Sequence, residues 1–200
     1  MNTTSRRTIG ILLFDDMEEL DAIGPWEVFA WWTDHFPADG FTVTTFSTTG
    51  GEVTCAKGLV VRAHRRVDDV SGLDVLVHPG GGGTRRLAHD KRHLSWLRDQ
   101  RRSASLMASV CTGAIVYAAA GLLRGRPATT YHDDFDRLRG IDPTITVRPG
   151  ERFVDDGDVI TSAGISAGID MALHIVGRLA GPRRARQVRE GIEYDPAPPL

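Results

Sequence analysis

The stretch SLMASVCTGAIVYAAAG (Ser105–Gly121) combines a strand and a helix around a single cysteine. Leu106–Ser109 is a short apolar run of strand length, and Gly113–Ala120 is rich in small apolar residues that suit a close-packed helix. Cys111 stands where the strand would turn into the helix, which holds a side chain clear of the sheet and near helix N–H groups. Because those groups and the helix dipole favour a thiolate, the pattern predicts a nucleophile, with the Thr112 hydroxyl beside it. The alternative is that Cys111 is one more small buried hydrophobic residue.

Apolar strands alternate with helical segments along the chain. Three runs have the near-continuous apolar character of strands buried on both faces: Thr8–Phe14, Leu73–His78 and Leu106–Ser109. Phe41–Phe46 alternates and is β-branched, which is typical of a further strand. The alternation predicts an α/β fold, a three-layer α/β/α sandwich with a mostly parallel central sheet. Because no linker or repeat divides the sequence, we expect residues 1–200 to form one domain.

Composition limits the classes of function. The chain has 41% hydrophobic and 25% charged residues, as in ordinary globular proteins, and its formal net charge of −2 argues against a dedicated nucleic-acid binder. Two cysteines are too few for a disulfide framework, no apolar run reaches the roughly 20 residues of a membrane span, and the start lacks a secretory signal. We therefore expect a cytoplasmic protein that acts on a small molecule without nucleic-acid or membrane partners.

Three predicted strands end in chemically unusual segments. Parallel strands place their carboxyl ends at one edge of the sheet, where ligands bind. The first strand leads to Asp21, the second to the glycine run that follows His78, and the third to Cys111. Locally, Asp21 is typical of a helix N-cap, because Pro25 suits the first turn of the following helix. If Asp21 instead faces Cys111, the carboxyl and the thiol form a coupled pair suited to general acid–base chemistry.

The run Pro79–Gly83 lets backbone N–H groups approach a ligand closely. Gly80 and Gly81 are the candidates for substrate binding. In one interpretation, the Gly81 N–H and the Cys111–Thr112 turn form an oxyanion hole. A phosphate cradle is less well supported because the P-loop lysine and serine or threonine are absent, and a simple flexible turn is the other alternative.

His132 is the histidine that could serve as a base or a substrate contact near the cysteine. It follows Ala128–Tyr131, a segment with no strong helical pattern. The other histidines lie in charged surroundings or on helix faces, and none shows metal-ligand spacing with the cysteines. The histidine spacing therefore gives no sign of a metal site.

Taken together, these motifs resemble the ThiJ/PfpI superfamily, which is class I glutamine amidotransferase-like, with a flavodoxin-like fold and a cysteine on a nucleophile elbow. The similarity extends over most of the chain and is greatest to the isonitrile (isocyanide) hydratase branch. That branch has Leu-Asp-x-x-Gly-Pro after the first strand, as in Leu20–Pro25, and Val-Cys-Thr-Gly at the elbow, as in Val110–Gly113. The segments that match the superfamily are Ile11–Phe29, Val77–Gly83, Ala108–Thr130, Asp156–Val176 and Gly191–Pro199.

The resemblance implies a cofactor-independent hydratase. Cys111 would attack the terminal carbon of an isonitrile, Asp21 would protonate that carbon, and water would release an N-substituted formamide. Glyoxalase- or deglycase-type chemistry on aldehydes, and a non-catalytic cysteine redox sensor, are the alternatives. Relatives commonly form homodimers, and some carry an added DNA-binding domain for which this chain, ending at Leu200, has no room. After Ala-Thr-Thr the hydratase pattern continues His-Trp, whereas this chain has Tyr131-His132. We expect this region to line the pocket, so the departure bears on the identity of the substrate.

Overall fold

The structure is a computed structural model that describes residues 6–70 and 72–195. The strands are β1 (Arg7–Leu13), β2 (Phe41–Ser47), β3 (Glu52–Thr54), β4 (Val60–Arg62), β5 (Arg65–Arg66), β6 (Val75–His78), β7 (Leu106–Ser109), β8 (Pro127–Ala128), β9 (Thr146–Val147), β10 (Phe153–Asp155) and β11 (Val159–Ser162). The α-helices are α1 (Glu19–His35), α2 (Thr84–Leu87), α3 (Lys91–Ser103), α4 (Gly113–Ala119), α5 (Phe135–Ile141), α6 (Ala167–Ala180) and α7 (Pro182–Gly191). The last motif of the sequence, Gly191–Pro199, extends beyond the described residues.

Seven strands form the central sheet in the order β10-β11-β7-β6-β1-β2-β5. Neighbouring strands are parallel except for the β10–β11 pair, which is antiparallel. The β3–β4 hairpin and the short β8–β9 pair lie outside this sheet. The predicted mostly parallel α/β sandwich is thus confirmed.

The register of the parallel strands brings their carboxyl ends to one edge. His78 at the end of β6 pairs with Ser109 at the end of β7, and Ser109 in turn pairs with Thr161 of β11. On the other side of β6, Val77 pairs with Ile11 of β1. The segments that follow β1, β6, β7 and β11 therefore converge, and they carry the residues of the site.

Helices flank the sheet in two groups. One group contains α1, which packs against α6 and α7, and the other contains α4, which contacts α2, α3 and α5. The core between these layers includes the fully buried side chains of Phe29, Trp32 and Tyr117. Helix α3 begins at an Asp90 cap that accepts hydrogen bonds from the N–H groups of Arg92 and His93.

Helix α1 begins earlier than the sequence predicts. It starts at Glu19 rather than near Pro25, so Asp21 lies inside its first turn and is not its N-cap. Pro25 stands inside the helix and has no N–H with which to bond the Asp21 carbonyl. The packing of α1 against α6 outweighs this lost bond, and the earlier start turns the Asp21 side chain toward the protein interior.

Candidate active site

Cys111 occupies a strained turn between β7 and α4. Its φ of +56° is a left-handed conformation that residues other than glycine seldom adopt. The backbone is held there because the Cys111 N–H donates to the carbonyl oxygens of Ser162 and Ala163, at 3.2 and 3.1 Å. The turn is also close to β6, since a Cβ at Gly113 would lie 2.4 Å from the His78 carbonyl oxygen. The nucleophile elbow predicted from the sequence is present.

The environment of the Cys111 thiol opposes ionisation more strongly than the sequence suggests. The residue is 5% exposed, and this burial, together with the charge of Asp21, raises the pKa of the thiol to about 12. Hydrogen bonds from the N–H groups of Thr112 and Ile165 act in the opposite direction. The start of α4 does favour a thiolate, but desolvation and the neighbouring carboxylate outweigh it.

Asp21 is fully buried beside this thiol. Its Oδ2 accepts a hydrogen bond from the Gly80 N–H at 2.9 Å, whereas Oδ1 has no partner that meets hydrogen-bonding geometry. Burial raises the pKa of the carboxyl from 3.8 to about 7, against the lowering effects of the Gly80 N–H, the Cys111 thiol and the Ile165 N–H. Near neutral pH a substantial fraction of Asp21 therefore carries a proton, and Oδ1 is the oxygen free to hold it.

The glycine run fixes these groups in place. The Gly81 N–H donates to Thr112 Oγ1 at 2.9 Å, and Thr84 Oγ1 lies 3.1 Å from the same oxygen. A Cβ at Gly80 would lie 2.5 Å from the Thr112 nitrogen and 2.8 Å from Asp21 Oδ2, so only glycine fits. The Gly80 and Gly81 N–H groups are thus engaged with Asp21 and Thr112. In this arrangement they position the two side chains, whereas the sequence suggested that they would face an oxyanion.

Ile165 is a site residue that the sequence analysis missed. It follows β11, the fourth strand to end at this edge, and its φ of +54° is unusual for a β-branched residue. Its N–H interacts with both Asp21 and Cys111. A fourth strand end beside the other three was the available signal, although nothing in the residue type itself points to chemistry.

A cavity of about 260 Å³ opens onto the cysteine. Of the predicted residues, Cys111, Thr112 and Gly81 line it, while Asp21 and Gly80 lie directly behind this wall. The volume suits a small molecule. Larger grooves elsewhere on the surface, such as one of about 470 Å³ beside Trp31, contain no cysteine. The lining residues that the sequence analysis did not single out for binding are Glu18, Gly82, Thr84, Arg85, Tyr131, Asp134, Arg137 and Ile165.

His132 is not brought to this cavity. Its side chain is 71% exposed and pairs with Asp133, Nδ1 to Oδ1, at 2.8 Å. Tyr131 lines the cavity instead and packs so closely on the Gly164 backbone that a Cβ there would lie 2.5 Å from the ring. The chain is extended at Tyr131 and then enters a 3-10 helix, so neighbouring side chains point to opposite sides. The structure thus corrects the expectation that His132 contacts substrate.

Residues 6–70 and 72–195, which the structure describes, limit the kinds of site and segment that it contains. Over that part of the chain, no group of three or more His, Cys, Asp and Glu side chains could hold a metal ion. No helix in those ranges is long and apolar enough to span a bilayer.

This chain is similar to known proteins over most of its length. The isonitrile hydratase of Pseudomonas putida is 37% identical over 202 residues, which cover 96% of this chain and 80% of that protein. The HTH-type transcriptional regulator CdhR of Pseudomonas aeruginosa is 32% identical, and the match covers 88% of this chain but only 51% of the regulator, so the chain spans about half its length.

Solved structures and family models agree with these relatives. The crystal structure of a ThiJ/PfpI family protein from Pseudomonas syringae superposes with a TM-score of 0.84 at 30% identity, covering 98% of this chain and 78% of that one. Residues 7–178 match the model of the DJ-1/PfpI family. With a nucleophile elbow at Cys111 and a match over most of its length, the chain belongs to the DJ-1/PfpI family.

Proposed function

We propose that the protein is a cysteine-dependent hydratase that converts a small isonitrile into an N-substituted formamide. The observation that carries this proposal is the pairing of the Cys111 thiol with a buried carboxyl that holds a proton near neutral pH. An isonitrile carbon must receive both a nucleophile and a proton, and these two groups can supply them from adjacent positions. The name and coverage of the Pseudomonas putida relative support the choice of substrate.

The singly protonated pair holds its proton mainly on Cys111, whose pKa lies above that of Asp21. The proposed reaction proceeds through the less populated tautomer of this form, with Cys111 as thiolate and Asp21 as carboxylic acid. The sulfur forms a bond to the terminal carbon while Asp21 Oδ1 gives its proton to that carbon. The product is a thioimidate, S–CH=N–R, and Asp21 is left as a carboxylate. In this step Cys111 forms one bond to carbon and Asp21 gives up one proton, so no other reactant is needed.

Water completes the proposed cycle. Asp21 accepts a proton from water as the water oxygen attacks the thioimidate carbon, and it passes that proton to the nitrogen to give a tetrahedral S–CH(OH)–NH–R intermediate, which leaves Asp21 as a carboxylate again. The carbon–sulfur bond then breaks, the hydroxyl proton returns to Asp21, and the formamide leaves. The thiolate and the carboxylic acid are regenerated, and the sum is one isonitrile plus one water. Thr112, Gly80 and Gly81 act by holding the two reacting groups in place.

Formamide production from a small alkyl isonitrile tests this proposal. We expect turnover by the unaltered protein, none by Cys111→Ala, and a loss of at least about 100-fold in Asp21→Asn, in line with the usual contribution of a general acid. Cys55→Ala is the matched control, because Cys55 is also a buried free cysteine but does not line the cavity.

Two results would contradict the proposal. One is formamide production that persists in Cys111→Ala. The other is an unaltered protein that forms no formamide but turns over a small reactive aldehyde such as methylglyoxal, which would assign the same thiol to glyoxalase-type chemistry.

We also propose that the protein works in the cytoplasm as a homodimer. Both cysteines are free, as expected in a reducing compartment. Three exposed apolar side chains, Leu20 on α1 and Leu59 and Val60 at the β3–β4 hairpin, offer a surface for a second copy. Molecular mass in solution tests this assembly. We expect the wild-type protein to have the mass of a dimer, and the double variant with Leu59→Lys and Val60→Lys to have the mass of a monomer. A monomeric wild-type protein would contradict it.

A further inference from the structure

A buried histidine pair lies behind the glycine run, outside the cavity. His78 is the last residue of β6 and is fully buried, and its Nδ1 lies 2.7 Å from the Pro79 carbonyl oxygen. On the opposite side of the ring, its Nε2 lies 3.0 Å from Nε2 of His93, a half-buried residue of α3. Nothing in the proposed reaction uses either histidine.

The neighbours of His78 determine where its proton resides. A carbonyl oxygen only accepts, so Nδ1 facing Pro79 must carry the proton. In a neutral ring Nε2 then has a lone pair and accepts, which requires that His93 donate through its own Nε2–H. Both rings are therefore fixed as single tautomers, with the hydrogen bonds running from His93 to His78 and on to Pro79.

Both rings are neutral in this environment. Burial lowers the pKa of His78 to about 3, with His93 adding to the effect, and burial lowers the pKa of His93 to about 4 despite the nearby charge of Asp90. Aromatic rings enclose much of the pair: those of Phe14 and Tyr117 lie 5.4 and 5.8 Å from the His78 ring, and Trp96 stacks on His93. Arg66, Asp68 and Arg92 line the groove onto which His93 also opens. Across ordinary pH, the direction of these hydrogen bonds is therefore constant.

The peptide group between Pro79 and Gly80 connects the histidine pair to the site. The Pro79 carbonyl that accepts from His78 and the Gly80 N–H that donates to Asp21 Oδ2 belong to one amide. A hydrogen bond to the oxygen of an amide polarises it and makes its N–H a stronger donor. We propose that His93 and His78 form a positioning relay that orients the Pro79–Gly80 peptide and, through it, sets the position and proton affinity of the Asp21 carboxyl.

The relay makes His78 more than a core histidine with satisfied hydrogen bonds. A purely structural pair would affect stability but would leave the titration of Asp21 unchanged. A relay predicts a change in that titration, because donation from Gly80 stabilises the carboxylate. The inference rests on the Asp21–Cys111 pair, but its readouts below do not require that isonitriles be turned over.

The first experiment is direct observation of the tautomers by long-range ¹H–¹⁵N NMR of the histidine rings. We expect His78 to be protonated at Nδ1 and His93 at Nε2. A proton on Nε2 of His78 would overturn the proposal, because the ring could not then donate to Pro79.

The second experiment compares two substitutions of His93, which is only half-buried. His93→Gln keeps an amide N–H that can donate to His78, whereas His93→Phe removes the donor and keeps an aromatic ring. The readout is the pH dependence of Cys111 alkylation by iodoacetamide, whose lower inflection, near pH 7, reports the first proton lost by the Asp21–Cys111 pair.

Without the His93 donor, the His78 ring is no longer held as the Nδ1–H tautomer, and its bond to Pro79 is lost. We therefore expect His93→Phe to move this inflection upward by about 0.2 to 0.6 unit, the size of a 10–30% weakening of the Gly80 hydrogen bond to the carboxylate. His93→Gln should leave it near the wild-type position. Inflections that coincide in all three proteins would overturn the relay. If the shift occurs while no isonitrile is hydrated, the relay stands and the proposed function fails.

Discussion

Replacing Asp21 by asparagine should change how stability depends on pH, in a direction unusual for a carboxylate. The folded-state pKa of Asp21 is raised from 3.8 to about 7 by burial, so the folded protein binds a proton that the unfolded chain has lost. Stability therefore falls as pH rises from about 4 to 7 and then levels off, because above 7 both states are ionised. A shift of about three units corresponds to about 4 kcal/mol.

Asparagine retains an oxygen that can accept from the Gly80 N–H but does not ionise. We therefore expect the free energy of unfolding of Asp21→Asn, relative to wild type, to increase by about 4 kcal/mol between pH 4 and pH 8. Burying the NH2 group of the new asparagine has a cost that does not depend on pH, so this cost cancels in the difference between pH 4 and pH 8. Urea denaturation of both proteins at several pH values, under reducing conditions, measures it.

Asp39→Asn is the matched control, since it makes the same substitution at a carboxyl that titrates below the pH range of the comparison. At Asp39 the effect of burial is outweighed by hydrogen bonds from Arg184 and Trp32, which lower the pKa of the carboxyl. Its contribution to stability is lost only as pH falls below about 4, because above that pH both the folded and the unfolded states are ionised. The free energy of unfolding of Asp39→Asn, relative to wild type, should therefore stay nearly constant between pH 4 and pH 8. A stability difference for Asp21→Asn that stays flat between pH 4 and pH 8, as in the control, would refute the raised pKa of the buried Asp21 carboxyl.

Three further outcomes follow from the site. Thr112→Val removes the acceptor of the Gly81 N–H and should lower the free energy of unfolding by about 1–3 kcal/mol, whereas Thr112→Ser should not, as urea melts would show. Gly81→Ala places a Cβ 2.3 Å from a backbone nitrogen at a φ of +113° and should largely prevent soluble expression, while Gly157→Ala, at φ +84° with open space around it, should cost only about 1 kcal/mol. Arg85 lines the cavity and Arg86 does not, so the positive charge of Arg85 should attract the anion iodoacetate to Cys111 more than neutral iodoacetamide. Arg85→Gln should therefore lower the ratio of the two Cys111 alkylation rates about 2- to 5-fold, and Arg86→Gln should leave that ratio unchanged.

The elbow could be predicted because all its determinants are local. An apolar run, a cysteine, a glycine and a small-residue helix are contiguous from Leu106 onward, and each favours the same turn. The parallel sheet could likewise be predicted, since buried strands separated by helices allow few other arrangements. The convergence of the strand ends then followed from the sheet.

The start of α1 could not be predicted from local rules. Pro25 favours a helix that begins near it, and Asp21 then resembles a cap. The actual start at Glu19 depends on packing against α6, a contact between residues far apart in sequence. The acidic strength of Asp21 depends in turn on that packing.

The directions of side chains were the second feature that the sequence could not predict. Tyr131 and His132 are adjacent, and only the backbone at this point decides that the tyrosine lines the cavity while the histidine faces solvent. Ile165 contributes through its N–H, a group that every residue but proline carries, so residue type gave no signal. Histidine chemistry drew attention to His132, whereas the histidine connected to the site is the buried His78.

The central claim is that Asp21 and Cys111 share protons as one unit. The most direct test is the rate of Cys111 alkylation by iodoacetamide between pH 5 and pH 10, in wild type and in Asp21→Asn. We expect the wild-type rate to rise through an inflection near pH 7, the titration of the pair, and the variant to lose that inflection and follow the thiol alone at higher pH. Profiles that coincide in the two proteins would contradict the claim.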